Sequence, residues 1–546
     1  MKHFFNRKDS IVTEALDGFL ATTGSGTLAR LDGYPDIKVV LRADWDKTRV
    51  SVVSGGGAGH EPSHAGFVGV GMLTAAVSGE IFASPSVEAV LAAIRATTGS
   101  AGCLLIVKNY TGDRLNFGLA AEKARAEGLS VEMVIVGDDI ALPDIAQPRG
   151  VAGTLFVHKI AGHLSESGHD LVSVAAAARA AAADIISLGI SLSSCSIPGQ
   201  AHEDRFGADD GELGLGIHGE PGVERIALQS AGKLVAIMAD RLAARLDPGN
   251  HYALLINNLG SVPPLEMSLI VNAVLSSPLA KAVTLTIGPG HLMTALNMNG
   301  FSLSLIKLDM EREAALVAPV GPHAWPPARP VRPPVVVVAA RPSSHGTKAA
   351  SLDADTRRLI TAVCERLISL EGTLNGLDAK AGDGDTGSTV ATGARSILER
   401  IDTLPLADQA ATLAAIGDTL GTSMGGSSGV LLSIFLTAAA QSLGTGATLS
   451  KALLSGLDRM TFYGGAKIGD RTMVDALEPA LKMLHTNGLE AAARAARHGA
   501  ETTATMQKAK AGRSAYVGRQ LDGVADPGAF AVAEAFAAVA TLFAPA

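Results

Sequence analysis

Short apolar runs separated by helical patterns fill the first 320 residues of the chain. Each run is four to six residues long and is followed by a polar or Gly-rich turn: 50–53, 103–107, 131–136, 251–256, 283–287 and 303–308. A run that is apolar on both faces is typical of a strand in a parallel sheet with helices on both sides. The first half is therefore predicted to be an α/β region of buried parallel strands.

The spacing of apolar positions becomes helical in the second half. Apolar side chains recur on one helical face between 359 and 367 and again between 413 and 420. Later segments are rich in Ala, a strong helix former: 429–443, 473–485, 488–508 and 529–543. This half is predicted to be all helical. Its longest apolar stretch, 429–440, is shorter than the roughly 20 residues of a bilayer span, so we expect a buried helix and no membrane anchor.

A proline-rich stretch separates the two halves. Residues 319–334 are PVGPHAWPPARPVRPP, followed by VVVVAARPSS. Proline lacks an amide donor and fixes φ, so such a stretch favours an extended connector. At 546 residues the chain is too long for one hydrophobic core. We expect an α/β region at 1–320, a linker at 321–351 and a helical domain at 352–546.

The composition argues against several classes of protein. A net charge of −8 with only 5 Tyr and 2 Trp offers no basic or stacking surface, so nucleic acid is not an expected partner. The 3 cysteines lie far apart without a CxxC pair, which argues against a disulfide framework and a structural zinc site. No apolar segment of signal-peptide length follows the N-terminus, so we expect a cytoplasmic protein.

A glycine-rich segment follows the first predicted strand. Residues 54–62 are SGGGAGHEP, which places His60 beside four glycines. Glycine lets backbone amides approach a ligand closely, and the carboxyl end of a parallel strand is where such folds bind small molecules. His60 and His64 also match the HExxH zinc pattern, but Pro62 lies between them and that chemistry needs one continuous helix. The segment predicts a ligand site without zinc.

Two further segments of the first half carry candidate polar residues. The run at 103–107 leads directly into Lys108 and Asp113, which could orient a hydroxyl and accept its proton, or could form a surface ion pair in a turn. His218 lies in the Gly-rich segment GLGIHGEPG, where a neutral imidazole could attack a carbonyl carbon. A lone histidine in a Gly-rich loop is more often a simple polar position, so a catalytic role for His218 needs support from elsewhere.

Three carboxylates stand within eight residues in the second half, at Asp378, Asp383 and Asp385. Magnesium that is bound to a nucleotide takes a few carboxylate oxygens together with phosphates and water. A calcium loop would need a glutamate at its twelfth position, where Thr389 stands. The spacing predicts a magnesium site, with a solvated acidic turn as the alternative.

A second glycine-rich segment opens the most apolar predicted helix. Residues 425–429 are GGSSG, and the free amides of a helix N-terminus bind phosphate oxygens well. The GxxxxGK[ST] pattern of a P-loop does not occur in this region. Nucleotide phosphates would therefore be held by helix N-termini and metal.

The segments stand in this order along the chain: GGGAGHEPSHAGFVGVGML, KNYTGD, GLGIHGEPG, LDAKAGDGDTGST, GGSSG and GGAKIGDRTM. Six motifs in this order resemble the single-chain, ATP-using form of the dihydroxyacetone kinase family over nearly the whole chain. The resemblance implies a multidomain protein with ATP and Mg²⁺ as cofactors. An α/β substrate-binding half of two α/β subdomains would be followed by an all-α helical-barrel domain for the nucleotide.

The resemblance also implies roles for individual residues. His218 is similar to the histidine that forms a hemiaminal with the ketose carbonyl, and His60 and Asp113 resemble the pair that orients and deprotonates the attacking hydroxyl. The implied substrate contacts are Gly57, Gly59, Lys108 and Asp113. The implied metal ligands are Asp378, Asp383 and Asp385. The implied ATP contacts are Thr386, Ser388, Thr389, Ser427, Ser428, Gly464, Met473, Arg513 and Asp526.

The implied reaction is ATP-dependent phosphorylation of a small ketose, dihydroxyacetone first of all, with glyceraldehyde as a further substrate. Thr386 stands where relatives that keep ADP bound for the phosphotransferase system commonly carry His, which favours free ATP as the donor. The alternatives are a kinase of a four-carbon ketose such as erythrulose, an FAD-AMP lyase that forms cyclic FMN, and a non-catalytic sugar sensor. The intact metal aspartates count against the sensor. A homodimer is also expected, so that one subunit's nucleotide domain covers the sugar of the other.

Overall fold

The computed structural model describes residues 3–23, 26–33, 36–142, 145–200, 206–339, 348–380, 382–510, 521 and 523–544. Its internal contacts divide the chain into two units, Met1–Val336 and Val337–Ala546. The first unit combines two sheets with helices, and the second is helical. The prediction of an α/β half followed by an all-α half is confirmed.

The first unit begins with a six-stranded sheet in the order β1-β2-β4-β3-β5-β6. Its strands are β1 (Leu28–Arg30), β2 (Val39–Arg42), β3 (Ser51–Ala58), β4 (Ala75–Ile81), β5 (Cys103–Lys108) and β6 (Val131–Val136). The helices around it are α1 (Ile11–Thr22), α2 (Val87–Thr97), α3 (Thr111–Ala126), α4 (Thr154–Glu166) and α5 (Leu171–Asp184). Strands β4, β3, β5 and β6 are parallel, and β1 and β2 are antiparallel additions at one edge.

Two different cores cover the two faces of this sheet. Successive side chains of a strand point to opposite faces. Leu104 and Ile106 of β5 accordingly enter the core formed with α4 and α5, whereas Leu105 and Val107 enter the core formed with α2 and α3. This double burial explains why the run at 103–107 is apolar at every position.

A seven-stranded sheet follows, in the order β13-β11-β10-β12-β7-β8-β9. Its strands are β7 (Ile185–Ser191), β8 (Asp210–Leu213), β9 (Glu224–Ala227), β10 (Tyr252–Asn258), β11 (Val283–Gly290), β12 (Gly300–Lys307) and β13 (Arg329–Pro330). The accompanying helices are α6 (Ala231–Ala243), α7 (Pro264–Leu275) and α8 (Met310–Val317). Helix α5 contacts both sheets, and α6 and α7 cover the outer face of the second.

The prediction of parallel strands is wrong for most of this second sheet. Within it β10 and β11 are parallel, but β12 is antiparallel to both β10 and β7. Apolar runs predicted the strands because both faces of the sheet are covered. They carry no information on direction, since an antiparallel strand buried on both faces has the same pattern.

The start of the predicted linker packs on the first unit. Trp325 is buried, β13 pairs with β11, and the amide of Val331 donates to the carbonyl of Thr284. The next valines, from Val335 to Val338, are more than four-fifths exposed. The extended connector within 321–351 is therefore shorter than the proline pattern suggests.

The second unit contains nine helices among its described residues. They are α9 (Ala354–Ser369), α10 (Glu371–Asp378), α11 (Thr386–Glu399), α12 (Gln409–Ser423), α13 (Gly426–Gly444), α14 (Leu449–Gly464), α15 (Val474–Asn487), α16 (Leu489–Thr503) and α17 (Pro527–Leu542). Asp353, Asp408 and Asp526 cap three of them by accepting a backbone amide, as N-cap aspartates do. Each helix contacts the next along the chain, α9 also lies beside α11, and α17 returns to α9. The helices thus close into a barrel.

Helix α13 was predicted to be buried, and the structure corrects this. Only Gly429, Phe435, Ala439 and Ala440 of its residues are buried, and Val430 is about half exposed at 53%. By length and composition it is the one helix among the described residues that could cross a membrane. One of its faces lines a cavity of the barrel rather than a core. An apolar pattern does not distinguish these environments.

Candidate active site

The carboxyl ends of β3 and β5 bring together residues that the sequence places far apart. His60 follows β3, Lys108 ends β5, and Asp113 lies in the first turn of α3. All three side chains are at most 3% exposed. Neighbouring parallel strands end at the same edge of a sheet, which is where doubly wound folds place ligands. The surface ion pair considered for Lys108 and Asp113 is excluded by this burial.

His60 is held in one tautomer by the rest of the unit. Its Nδ1 lies 2.7 Å from the carbonyl oxygen of Thr294, and a carbonyl only accepts, so Nδ1 carries the proton. Burial, followed by the charges of Lys108 and His218, holds the pKa of His60 well below 6.5. The ring is therefore neutral, and its Nε2, which has no partner among the described residues, is a free acceptor.

Asp113 offers a second acceptor. Its Oδ1 is buried and has no hydrogen-bond partner among the described residues. The carboxylate stands at the N-terminal end of α3, where the helix dipole favours negative charge. A buried carboxylate oxygen with a free lone pair can receive the proton of a bound hydroxyl.

The charge of Lys108 acts on three buried histidines, and we call His60, His64 and His158 the histidine cluster. Lys108 Nζ lies 2.9 Å from His64 Nε2, and His158 Nε2 lies 3.1 Å from Ser54 Oγ. Burial lowers the pKa of all three rings, that of His158 to about 3, and the charge of Lys108 adds to the effect. His60 and His64 do not share a helix, so the geometry of an HExxH zinc site is not formed.

His218 lies on the loop between β8 and β9 and meets three aromatic rings edge to face. The ring centroids of Tyr110, His60 and Phe82 are 4.3, 4.9 and 5.4 Å from that of His218. The structure thus brings His218 to His60, which stands 158 residues earlier in the chain, just after β3. Tyr110 and Phe82 were not singled out from the sequence, although Tyr110 lies inside the KNYTGD motif.

Glu220 holds His218 by two contacts. One carboxylate oxygen accepts the backbone amide of His218 at 3.0 Å, and the other lies 3.4 Å from Nδ1. Burial alone would raise the pKa of this carboxyl, but its contacts with His218 outweigh burial, so the pKa is lowered. An ionised Glu220 places the ring proton on Nδ1 and leaves Nε2 with its lone pair. In the sequence, only the position of Glu220 two residues after His218 pointed to this role.

The two predicted glycine contacts have a packing reason. A Cβ on Gly57 would lie 2.7 Å from the amide nitrogen of Ala83, and one on Gly59 would lie 2.7 Å from a ring carbon of Phe82. Gly59 also has φ of +100°, a conformation that other residues rarely adopt. These glycines let Phe82 close against the histidines. Their contact with a substrate stays a prediction.

The predicted metal ligands meet in the second unit. One oxygen from each of Asp378, Asp383 and Asp385 lies within 4.8 Å of the others. The buried Asp378 also accepts the backbone amides of Asp385 and Thr386 at 3.0 and 3.1 Å, which fixes the turn before α11. A set of hard carboxylate oxygens with two exposed members fits Mg²⁺, which keeps sites open for water and phosphate. The residues present therefore fit this ion.

These aspartates line a cavity of about 730 Å³ in the second unit. Predicted ATP contacts that line the cavity are Thr386, Thr389, Ser427, Ser428, Gly464, Met473 and Asp526. Ser388 does not line it, and its hydroxyl accepts the side-chain amide of Asn375 instead. Residues of α11 turn by about 100° each, so Thr386 and Thr389 share a face that Ser388 does not. Arg513 lies outside the described residues.

The N-terminus of α13 opens onto the same cavity. Gly425, Gly426, Ser427 and Ser428 all line it, and the helix begins at Gly426. The first amides of a helix have no partner within the helix, and the dipole makes this end positive. The arrangement can receive phosphate oxygens.

Arg471 is a further residue of this cavity that sequence reasoning missed. It is 1% exposed and donates to the carbonyls of Thr503 and Val524, while its Nη1 has no partner among the described residues. Burial raises the pKa of Asp526, on the same cavity wall, to about 6. The signal for Arg471 was its position inside GGAKIGDRTM, a segment that by itself has the pattern of an ordinary connection between two helices.

Comparison with known proteins gives one consistent result. The sequence matches the Dak1 domain over residues 25–324 and the DAK2 domain over residues 380–541. A dihydroxyacetone kinase of Citrobacter freundii is 50% identical over 543 residues, with 98% of each chain covered. The chain belongs to the dihydroxyacetone kinase family.

A crystal structure of the dihydroxyacetone kinase from C. freundii in complex with AMP-PNP and Mg²⁺ matches the chain with a TM-score of 0.84 at 49% identity, and the match covers 99% of each chain.

Other members of the family carry other names. A Solanum lycopersicum protein named as a 3,4-dihydroxy-2-butanone kinase is 44% identical, covering 99% of this chain and 98% of that one. The human triokinase/FMN cyclase is 40% identical, with 98% of each chain covered. Membership of the family is thus compatible with more than one substrate.

Proposed function

We propose that the protein transfers the γ-phosphoryl group of ATP to dihydroxyacetone while the ketose is bound covalently to His218. The observation that carries the proposal is the meeting of His218 with His60 after β3, next to the strand β5 that leads to the buried Asp113. The chemistry of these three groups suits a carbonyl and a neighbouring hydroxyl. The name of the C. freundii relative and its complex with AMP-PNP and Mg²⁺ support the same substrate and cofactors.

The first step is addition of an N–H group across the ketose carbonyl. Nε2 of His218 forms a bond to C2, the π bond of the carbonyl breaks, and the oxygen becomes a hydroxyl by taking up a proton. The ring is positively charged until it gives up the Nδ1 proton, and the Glu220 carboxylate at 3.4 Å stabilises that charge. One proton from solvent enters at the oxygen and one leaves Nδ1 to solvent, so the charge balances and a neutral hemiaminal results.

The second step is attack of the terminal hydroxyl on the γ-phosphorus. The covalent bond holds this hydroxyl in one place, which lowers the entropic cost of the reaction. Asp113 Oδ1 takes the proton of this hydroxyl as the oxygen bonds to the γ-phosphorus, the bond from that phosphorus to the bridging oxygen breaks and ADP leaves. His60, whose Nε2 is a free acceptor, orients the substrate beside it. Bound Mg²⁺ supplies neutralisation of the triphosphate charge at Asp378, Asp383 and Asp385.

The division of labour between the units is part of the proposal. Residues 1–320 bind the substrate, 352–546 bind Mg²⁺ and ATP, and the segment 321–351 connects them. Since the two reactants are held by different units, we propose a homodimer in which a nucleotide domain serves the sugar site of the partner subunit. A cytoplasmic location is proposed as well, and it fits the three free cysteines.

A four-carbon ketose such as erythrulose is the second candidate substrate. The residues argued above fix a carbonyl and a hydroxyl beside it, not the length of the carbon chain. The name of the S. lycopersicum relative supports this candidate. The FMN cyclase name of the human relative keeps a lyase side activity open to test.

Steady-state kinetics with Mg-ATP against dihydroxyacetone, glyceraldehyde, erythrulose and glycerol tests the proposal. Dihydroxyacetone is expected to give the highest kcat/KM. Glycerol has the same terminal hydroxyls but no carbonyl, so it is expected to be inactive. Turnover of glycerol at the rate of the ketoses would contradict the covalent mechanism, and cyclic FMN formed from FAD would establish the lyase activity.

A further inference from the structure

Lys108 and His64 form a hydrogen bond inside the first unit. Lys108 Nζ lies 2.9 Å from His64 Nε2, and neither side chain is more than 4% exposed. An ammonium group only donates, so Nε2 of His64 is the acceptor and the ring proton is on Nδ1. The direction of the bond is therefore fixed.

His64 remains this acceptor at neutral pH. Burial and the charge of Lys108 both hold the pKa of His64 well below 6.5. The ring therefore keeps the lone pair on Nε2.

The position of the amine is also defined from the side of β3. A Cβ on Gly56 would lie 2.5 Å from Lys108 Nζ and 3.6 Å from His64 Nε2. The amine thus occupies the space that a side chain at the end of β3 would fill. His64 and the bare backbone of Gly56 hold it from two directions.

The charge held in this way acts on two groups of the proposed mechanism. After burial, Lys108 is the largest cause that lowers the pKa of His60, which keeps the ring of His60 neutral. Burial lowers the pKa of Lys108 itself, and the negative charge of Asp113 opposes that effect. Such interactions are stronger inside a protein than in water and weaken as the charges move apart, so the position of the amine matters for both groups.

We propose that His64 is a positioning residue for the phosphorylation of the ketose, holding the Lys108 ammonium where its charge acts on His60 and Asp113. The inference rests on the proposed function and deepens it. His64 acts through Lys108 and is not itself catalytic.

A matched pair of variants separates this role from packing. In His64→Gln the amide oxygen lies as far along the side chain as Nε2 and can accept from Lys108. In His64→Asn the oxygen lies at the place of Nδ1 and cannot reach the amine. Both variants keep a polar side chain of similar size, so they differ mainly in the bond to Lys108.

His158 provides the control for burial. It is 0% exposed and contacts the His64 ring edge to face, but it bonds to Ser54 rather than to Lys108. Ser54 already donates to the carbonyl of Ile106, so loss of the imidazole leaves its hydroxyl proton paired. His158→Asn makes the same change of size in the same core without removing the bond to Lys108.

The experiment measures kcat and KM for dihydroxyacetone in the full-length chain, with thermal melting to check the fold. His64→Asn is expected to lose about tenfold to thirtyfold in kcat/KM, as for a lost hydrogen bond to a charged group, with KM for ATP unchanged. His64→Gln is expected to stay within about threefold of the wild type, and His158→Asn likewise. Each variant is also made with Lys108→Met. On that background His64→Asn is expected to cost less than about twofold, because the partner is already absent.

Each result supports or overturns the inference. Equal losses in His64→Asn, His64→Gln and His158→Asn would assign the effect to packing and overturn it. A full loss from His64→Asn on the Lys108→Met background would show that His64 does not act through Lys108. A wild-type chain active on dihydroxyacetone with an unaffected His64→Asn would overturn this inference alone. A wild-type chain inactive on dihydroxyacetone would overturn the proposed function as well.

Discussion

Replacing the Glu220 carboxylate is the most direct test of how His218 would be prepared for the attack proposed above. Glu220→Gln keeps an acceptor for the backbone amide of His218 but removes the charge 3.4 Å from Nδ1. Two unit charges at that distance interact by about 5 kcal/mol at an effective dielectric constant of about 20. Glu220 is 36% exposed, so solvent screens part of this energy, and we take about 1.5–2 kcal/mol as the effective loss.

A loss of this size corresponds to a fall of about tenfold to thirtyfold in kcat/KM for dihydroxyacetone. A coupled assay of dihydroxyacetone phosphate measures it, with KM for ATP expected to stay constant because the nucleotide cavity belongs to the other unit. Glu224→Gln is the control, since Glu224 lies on the same stretch of chain but pairs with Arg241. If Glu220→Gln stayed within about twofold of the wild type, the orienting role would be refuted.

Three further outcomes are expected. Asp383→Ala should lower kcat by about a hundredfold or more, and near-wild-type activity would remove the magnesium assignment. His218→Ala should lower kcat/KM for dihydroxyacetone on the order of a hundredfold, and a ketose-bound crystal structure should show continuous density to Nε2. The first unit should lose stability on acidification. Each ring of the histidine cluster has a pKa that is lower in the folded chain than in the unfolded chain. Below pH 6.5 the unfolded chain therefore binds more protons than the folded chain. Each ring then lowers the free energy of unfolding by up to about 1.4 kcal/mol for each pH unit. Burial raises the pKa of Asp138 to about 6, so this carboxyl offsets the effect of one ring between about pH 4 and 6. If the melting temperature did not decrease as the pH was lowered from 6.5, the buried neutral rings would be contradicted.

The sequence was sufficient where the signal is local. The run at 103–107 predicted β5 because residues of both its faces are buried, and the spacing of Asp378, Asp383 and Asp385 predicted a cluster of oxygens that the structure brings within 4.8 Å. Both signals are contained in fewer than ten consecutive residues. Physical chemistry alone can interpret them.

The sequence was insufficient where the fold brings distant segments together. A histidine in a Gly-rich loop gives no sign that Tyr110 and Phe82 will surround it, so the role of His218 could be expected only from the family resemblance. Strand direction in the second sheet was equally hidden, because burial on both faces looks the same for β10 and β12. Ser388 shows a smaller limit of the same kind, since its motif includes residues on both faces of α11.

The bond between His60 and Thr294 ties the chemistry of the first sheet to the folding of the second. The carbonyl that sets the tautomer of His60 comes from 234 residues further along, between β11 and β12. A nascent chain that has completed only β1 to β6 already contains His60, Lys108 and Asp113, but the imidazole proton is not yet assigned to Nδ1. If the proposed mechanism holds, competence for proton transfer is acquired late in synthesis, only when the second sheet is in place.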